Sequence, residues 1–164
     1  MLVVLGFVVW QYFHPTTSTT NTNTTNSSAA LHALASPNLQ LTPGDVLTTD
    51  ANVVCVSGYT KTVRNVPESL KEQVFQAYGV INRQPGDYEV DHLISLELGG
   101  SNSIRNLWAE SYVSQPLNAH VKDRLENVLH DLVCAGRLKL KAAQRMIATD
   151  WQLAYQKYVG TLPQ

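Results

Sequence analysis

Charge is scarce in this chain and missing altogether from its start. Of 164 residues only 15% are Asp, Glu, Lys or Arg, and none of these occurs before Asp45. The formal net charge of −1 excludes a protein that coats polyanions by bulk charge. Two cysteines, without a CxxC pair, exclude a cysteine-stapled miniprotein. The length excludes a multidomain machine but supports one domain with a sizeable core, and the 44% hydrophobic content is that of a globular protein. No internal repeat is visible.

The uncharged head divides in two. Residues 1–14 are mostly apolar. As a helix they reach about 21 Å, short of the ~30 Å hydrocarbon core of a bilayer. They read as a clipped secretory signal or signal-anchor, although no Lys or Arg precedes the apolar run. Residues 16–28 consist only of Thr, Ser and Asn, and 15–38 reads as a flexible linker that cannot bury enough apolar surface to pack. Two N-x-[ST] patterns, at Asn23 and Asn26, arise almost automatically in that composition. The folded domain is expected over 39–164. Its charge is uneven: 45–117 holds 5 basic and 9 acidic residues, whereas 118–164 holds 7 basic and 4 acidic.

Cys55 and Cys134 are either two small buried hydrophobes or a bridged pair formed in an oxidising compartment. The apolar head and spacer favour the bridge, which closes a long loop and contributes roughly 4–5 kcal/mol in the chain-entropy model. An extracytoplasmic location, secreted or membrane-anchored, follows as the expectation.

The periodicities point to an α+β domain. Asn65 is a candidate N-cap before Pro67 and Glu68, and Val66, Leu70, Val74 and Tyr78 form a stripe ended by Gly79. Tyr88 to Leu98 alternates imperfectly, which predicts a strand followed by a Gly99-Gly100 turn. A second short strand is predicted over Asn106–Trp108. Val121, Leu125, Val128, Leu129 and Leu132 predict a helix from about 118 to 134, ended by Gly136. Ala143, Ile147, Trp151, Ala154, Tyr155 and Tyr158 predict another from about 140 to 159.

Chemistry gathers in one stretch. Asp91-His92 sits on the first predicted strand, Gly99-Gly100 follows, and Asn106-Leu107 opens the second. This pattern resembles the HNH, or His-Me finger, endonucleases. Trp108-Ala109-Glu110, Lys122-Asp123-Arg124-Leu125-Glu126, Val133-Cys134 and Ile147-Ala148-Thr149-Asp150-Trp151 are similar to a small, often exported bacterial branch of that family. Cys55-Val56-Ser57-Gly58-Tyr59 and Arg64 extend the likeness upstream, to cover roughly residues 50–160. Ser95 stands where the family commonly has proline.

The resemblance implies a ββα-metal finger, with its core about 86–134, embedded in a small helical domain. It implies hydrolysis of nucleic-acid phosphodiester bonds. His92 would be the general base, since a neutral imidazole near its usual pKa of ~6.5 suits proton abstraction at pH 7. Asn106 would hold the loop and orient that imidazole. Asp91 would bind one divalent cation, Mg²⁺ or Mn²⁺ foremost and Zn²⁺ or Ni²⁺ as alternatives, with the last ligand either His120 or Asn118. Asn118 is equally an N-cap for the helix that follows.

Lys122, Arg124 and Arg105 are candidate contacts to nucleic acid, DNA rather than RNA; an ordinary solvated basic face is the plainer reading. Glu97 falls on the opposite strand parity from His92 and reads as structural or solvated. His130 reads as a surface helix residue, and Trp108 and Trp151 as core. A lapsed finger kept as a nucleic-acid or protein binding module is the alternative function. A tether to a membrane through the N-terminus completes the expected partners.

Overall fold

The computed structural model describes residues 35–163. The segment 1–14, most of the 15–38 linker, His14, His32 and both N-x-[ST] patterns lie outside the described residues. In chain order the elements are α1 (Ala51–Val54), α2 (Tyr59–Val63), α3 (Glu68–Ala77), β1 (Tyr88–His92), β2 (Leu107–Ser111), α4 (Ala119–Cys134) and α5 (Leu140–Tyr158). Short 3-10 turns occupy Leu96–Leu98 and Ile104–Asn106. Helices and one two-stranded antiparallel sheet make the domain α+β. No helix among the described residues is long and apolar enough to cross a membrane.

The apolar stripes of α4 and α5 face one another and form the main core. Val121, Leu125, Leu129 and Val133 meet Leu140, Ala143, Ile147, Trp151 and Tyr155, with Leu98 and Leu117 added from the loops. Asn118 caps α4 by accepting the Val121 N–H, and Gly136 in the left-handed region (φ 69°) turns the chain after it. The α5 stripe hides a break. Asp150 leaves helical geometry at φ −162°, ψ 94°, and its Oδ1 accepts the Leu153 N–H, so it caps the second half. Packing already includes Ala35, upstream of the expected start at 39: Ala35 is buried and its carbonyl accepts the Trp151 Nε1–H at 3.0 Å.

Two expectations about the N-terminal elements are corrected. Asn65 does not cap α3; extended Pro67 takes that position without a side-chain bond, and the Asn65 N–H instead donates to Asn102 Oδ1. The first strand ends at His92 rather than Leu98. Leu93, Ile94, Ser95, Leu96 and Leu98 are all buried, so the segment has no exposed face to alternate with and folds into the interior instead. Buried backbone there needs partners, and the Asn106 side chain supplies them. Its Oδ1 accepts the Ile94 N–H at 3.0 Å, while its Nδ2 donates to the carbonyls of Ile94 and Ser101 at 2.9 Å each. Gly100 completes this staple: a Cβ there would lie 1.7 Å from the Ile94 carbonyl oxygen.

The second strand runs Leu107–Ser111, beyond its predicted end. Register pairs Glu89 with Glu110, Asp91 with Trp108 and His92 with Leu107 without a bulge. Residues directly opposite share a face, so Glu89, Asp91, Trp108 and Glu110 lie on one side and Val90 and His92 on the other. α3 packs against both strands. A disulfide joins Cys55, which ends α1, to Cys134, the last residue of α4, with Cα atoms 5.6 Å apart.

Candidate active site

The site is organised by α4. Lys122 and Glu126 are one turn apart and share a helix face. That face points inward, so both side chains are buried. The Lys122 Nζ donates to Asp91 Oδ2 at 2.5 Å, to the His92 carbonyl at 2.9 Å and to Glu126 Oε1. At 1% exposure Lys122 is not the phosphate contact expected of it; its ammonium is an internal cation. Burial alone would push the Asp91 carboxyl up, but Lys122 outweighs it and holds Asp91 below the ordinary range. Burial opposes the Lys122 charge too, and the surrounding carboxylates overcome it, raising that pKa well above its usual value.

The strand register adds two more acids. Carboxylate oxygens of Glu89, Asp91 and Glu110 lie within 4.8 Å of one another. Glu110 is 3% exposed, and its Oε1 has no hydrogen-bond partner among the described residues. Burial drives the Glu110 carboxyl well up, and the Asp91 charge adds to the shift against the pull of Lys122. Glu89 accepts the Tyr112 hydroxyl at 2.7 Å and is likewise raised, chiefly by burial. Glu126 is pushed well above its usual value by burial, although Lys122 opposes this. One ammonium thus faces several buried carboxyl groups, leaving negative charge for protons or a second cation to take up. An all-oxygen set with an unpartnered Glu110 oxygen fits a hard cation such as Mg²⁺ or Mn²⁺. It lacks the imidazole or thiolate that Zn²⁺ or Ni²⁺ would favour.

His92, 2% exposed, turns the other way. Its Nε2 lies 3.1 Å from Asn102 Oδ1. The Asn102 amide is oriented by its own bonds: Nδ2 donates to the Val63 carbonyl at 2.8 Å, and Oδ1 also accepts the Asn65 N–H. An acceptor therefore faces Nε2, which must carry the proton, and Nδ1 keeps its lone pair. Nδ1 has no hydrogen-bond partner among the described residues. Burial lowers the His92 pKa, with the Asn102 bond and the Asp91 charge opposing and Arg64 reinforcing, so the ring is neutral at pH 7. Asn102, rather than Asn106, orients the imidazole; Asn106 holds the loop. Within Gly99-Gly100-Ser101-Asn102 an Asn reads as a turn former, and only the loop's return to the end of α2 reveals its partner.

Neither expected last ligand joins these groups. α4 starts at Ala119, which commits the Asn118 oxygen to capping. His120 falls on the outer face, 72% exposed, with Nδ1 3.8 Å from Asp123 Oδ2 and its ring 5.3 Å from that of Tyr112. The helix positions that reach Asp91 are set by Lys122. Arg105 and Arg124 are exposed, Arg124 donating to the Tyr155 hydroxyl at 3.2 Å. His130 is half-buried rather than a surface residue, with Nε2 3.3 Å from the Val54 carbonyl and 3.4 Å from Cys134 Sγ. Glu97 is corrected as well: since the strand has ended, parity does not apply, and its Oε1 is buried without a partner among the described residues.

Beside the sheet, a cleft of about 920 Å³ runs between α3 and β1. Arg64, Lys71 and Arg83 stand on its walls with Glu68, Tyr88, Glu89 and Tyr112, and Lys71 pairs with Glu68 at 3.0 Å. Arg83 lies 3.8 Å from the centre of the Phe75 ring and pairs with Glu72 at 2.7 Å. No family model, no curated protein and no solved structure matches this chain.

Proposed function

We propose that the domain is a metal-dependent endonuclease of the ββα-metal finger type, built on β1, β2 and α4, which hydrolyses nucleic-acid phosphodiester bonds. The observation that carries this reading is His92: a neutral imidazole, protonated on Nε2 by its bond to Asn102, with an unbonded Nδ1. Its neighbour in sequence, Asp91, belongs to a carboxylate group suited to a hard cation that lies on the opposite face of the strand pair. Nδ1 takes the proton from an attacking water, and Asn102 steadies the ring as its charge appears. Asp91, with Glu89 and Glu110, would hold the cation, and Lys122 balances part of their charge. When bound, Mg²⁺ or Mn²⁺ supplies charge stabilisation at the phosphate and the leaving 3′ oxygen. The cleft between α3 and β1, where Arg64, Lys71 and Arg83 stand among Glu68 and Glu89, offers backbone contacts, and nothing in it forms a base-reading module, so weak sequence preference is expected. DNA is the favoured substrate. The disulfide and the apolar head favour an extracytoplasmic site of action.

A second reading rests on Lys122. Its ammonium already satisfies Asp91, as it would in a finger that binds nucleic acid without cutting it. Plasmid nicking separates the two. The nuclease reading expects nicking with Mg²⁺ or Mn²⁺ that EDTA and His92→Ala both abolish. Gel retardation by a folded protein with no cleavage under any divalent cation would overturn it in favour of the second.

A further inference from the structure

Apart from the sheet carboxylates, the described residues hold one other gathering of three metal-ligating side chains. Cys55, His130 and Cys134 each place a ligand atom within 4.8 Å of the others. His130 and Cys134 are one turn apart on α4 and share a helix face. The His130 Nε2 lies 3.4 Å from Cys134 Sγ. Cys55 arrives from the end of α1, with its Cα 5.6 Å from that of Cys134. A covalent staple needs only the two sulfurs. The imidazole is a third donor beside them, and the other contact of its Nε2, to the Val54 carbonyl, is long at 3.3 Å.

Reduction of the bridge frees this set. A dithiol reductant gives two hydrogens to the disulfide and closes to a disulfide itself, leaving Cys55 and Cys134 as thiols. Two thiolates and one imidazole select Zn²⁺ over Mg²⁺ or Mn²⁺. Zinc bonds of ~2.3 Å to sulfur and ~2.0 Å to nitrogen set tetrahedral edges of about 3.5 Å between nitrogen and sulfur and about 3.8 Å between sulfurs. The 3.4 Å between His130 and Cys134 already matches the first edge. Only the two sulfurs must part, by torsion about their Cα–Cβ bonds. Cys134 is exposed, which leaves the fourth position to water. As the ion binds, the two thiols release their protons.

We propose that, when the bridge is reduced, Cys55, His130 and Cys134 bind one Zn²⁺ ion that replaces the covalent link between α1 and α4. A disulfide oxidant reverses the change: it takes up two electrons, leaves as thiols and expels the ion as the bridge re-forms. The joint is thus covalent in an oxidising compartment and metal-held in a reducing one. The site shares no residue with the Glu89–Asp91–Glu110 group and does not depend on whether the protein cuts nucleic acid.

The test is anaerobic titration of the full chain with Co²⁺, a coloured stand-in for Zn²⁺, after reduction by a dithiol and its removal. The reduced protein is expected to develop a thiolate-to-cobalt absorption band at one ion per chain, discharged by Zn²⁺, and the bridged protein none. His130→Ala is expected to weaken binding about tenfold or more, since even the partner of a ligand is worth that much. Zn²⁺ should raise the melting midpoint of the reduced chain by about 5 °C or more over the same chain in chelator. Circular dichroism checks that the zinc-loaded chain keeps the helices of the bridged one. No thiolate band, a loaded chain without those helices, or binding unchanged in His130→Ala overturns the proposal. Failure of the unmodified protein to nick plasmid would sink the nuclease reading and leave this titration untouched.

Discussion

The Lys122 ammonium lies 2.5 Å from Asp91 Oδ2, joining α4 to β1 across 31 residues of sequence. The same nitrogen holds Glu126 and the carbonyl of His92. One buried cation therefore sets how the helix sits on the strand end that carries both site residues. It is structural first, and any chemistry at Asp91 happens beside it.

Lys122→Met keeps the length of the side chain and removes the charge. Asp91 and Glu126 then lose their compensation, and breaking a buried pair in this way costs about 3–5 kcal/mol. Urea melts should show this loss, while exposed Arg124→Ala changes stability by less than about 1 kcal/mol. A melt of Lys122→Met indistinguishable from that of the unmodified protein would remove the ammonium from its central role.

Asn102 is a positioning residue, and pH distinguishes that role from simple support. Burial depresses the His92 pKa, so the neutral form favoured by folding is present above the unfolded value of ~6.5 and lost as pH falls through the lower folded value. Activity should accordingly hold at pH 7 and fall on an acid limb below ~6.5. The Asn102 bond favours the charged ring. Asn102→Ala should therefore move that limb to still lower pH and lower kcat by about 10–100-fold. An unmoved limb with reduced kcat would mean that Asn102 only supports the loop.

Two glycines should behave differently on substitution. Gly100→Ala puts a methyl 1.7 Å from the Ile94 oxygen and 2.8 Å from Asn106 Nδ2, where backbone must shift. Loss of the folded state is expected, read by circular dichroism and solubility. Gly136→Ala meets open space and has only its φ of 69° to accommodate, about 1–2 kcal/mol.

Reduction of the Cys55–Cys134 bridge reopens a loop spanning 79 residues of sequence separation. The chain-entropy model assigns it about 4–5 kcal/mol. Thermal or urea unfolding with and without reductant measures this directly, and Cys134→Ser should reproduce the reduced behaviour.

Elements whose burial repeats along one strip of chain are legible before any packing is known. α4 and α5 are written in their apolar stripes, and the stops at Gly79 and Gly136 in the residue type that tolerates a left-handed turn. The pairing of two lone cysteines was legible, as was a strand that carries Asp91 and His92. Tertiary structure alone decided which polar groups meet. Lys122 reads like its exposed neighbour Arg124 until the rotation of α4 turns it inward. Asn102 reads as a turn former until the loop brings it to His92. Ser95 and Glu97 read as part of a strand until the chain leaves the sheet at His92. Periodicity reports whether a position is covered, element by element. The partner of a buried charge depends on register, on helix rotation and on where the chain turns, and these are settled only when the elements pack.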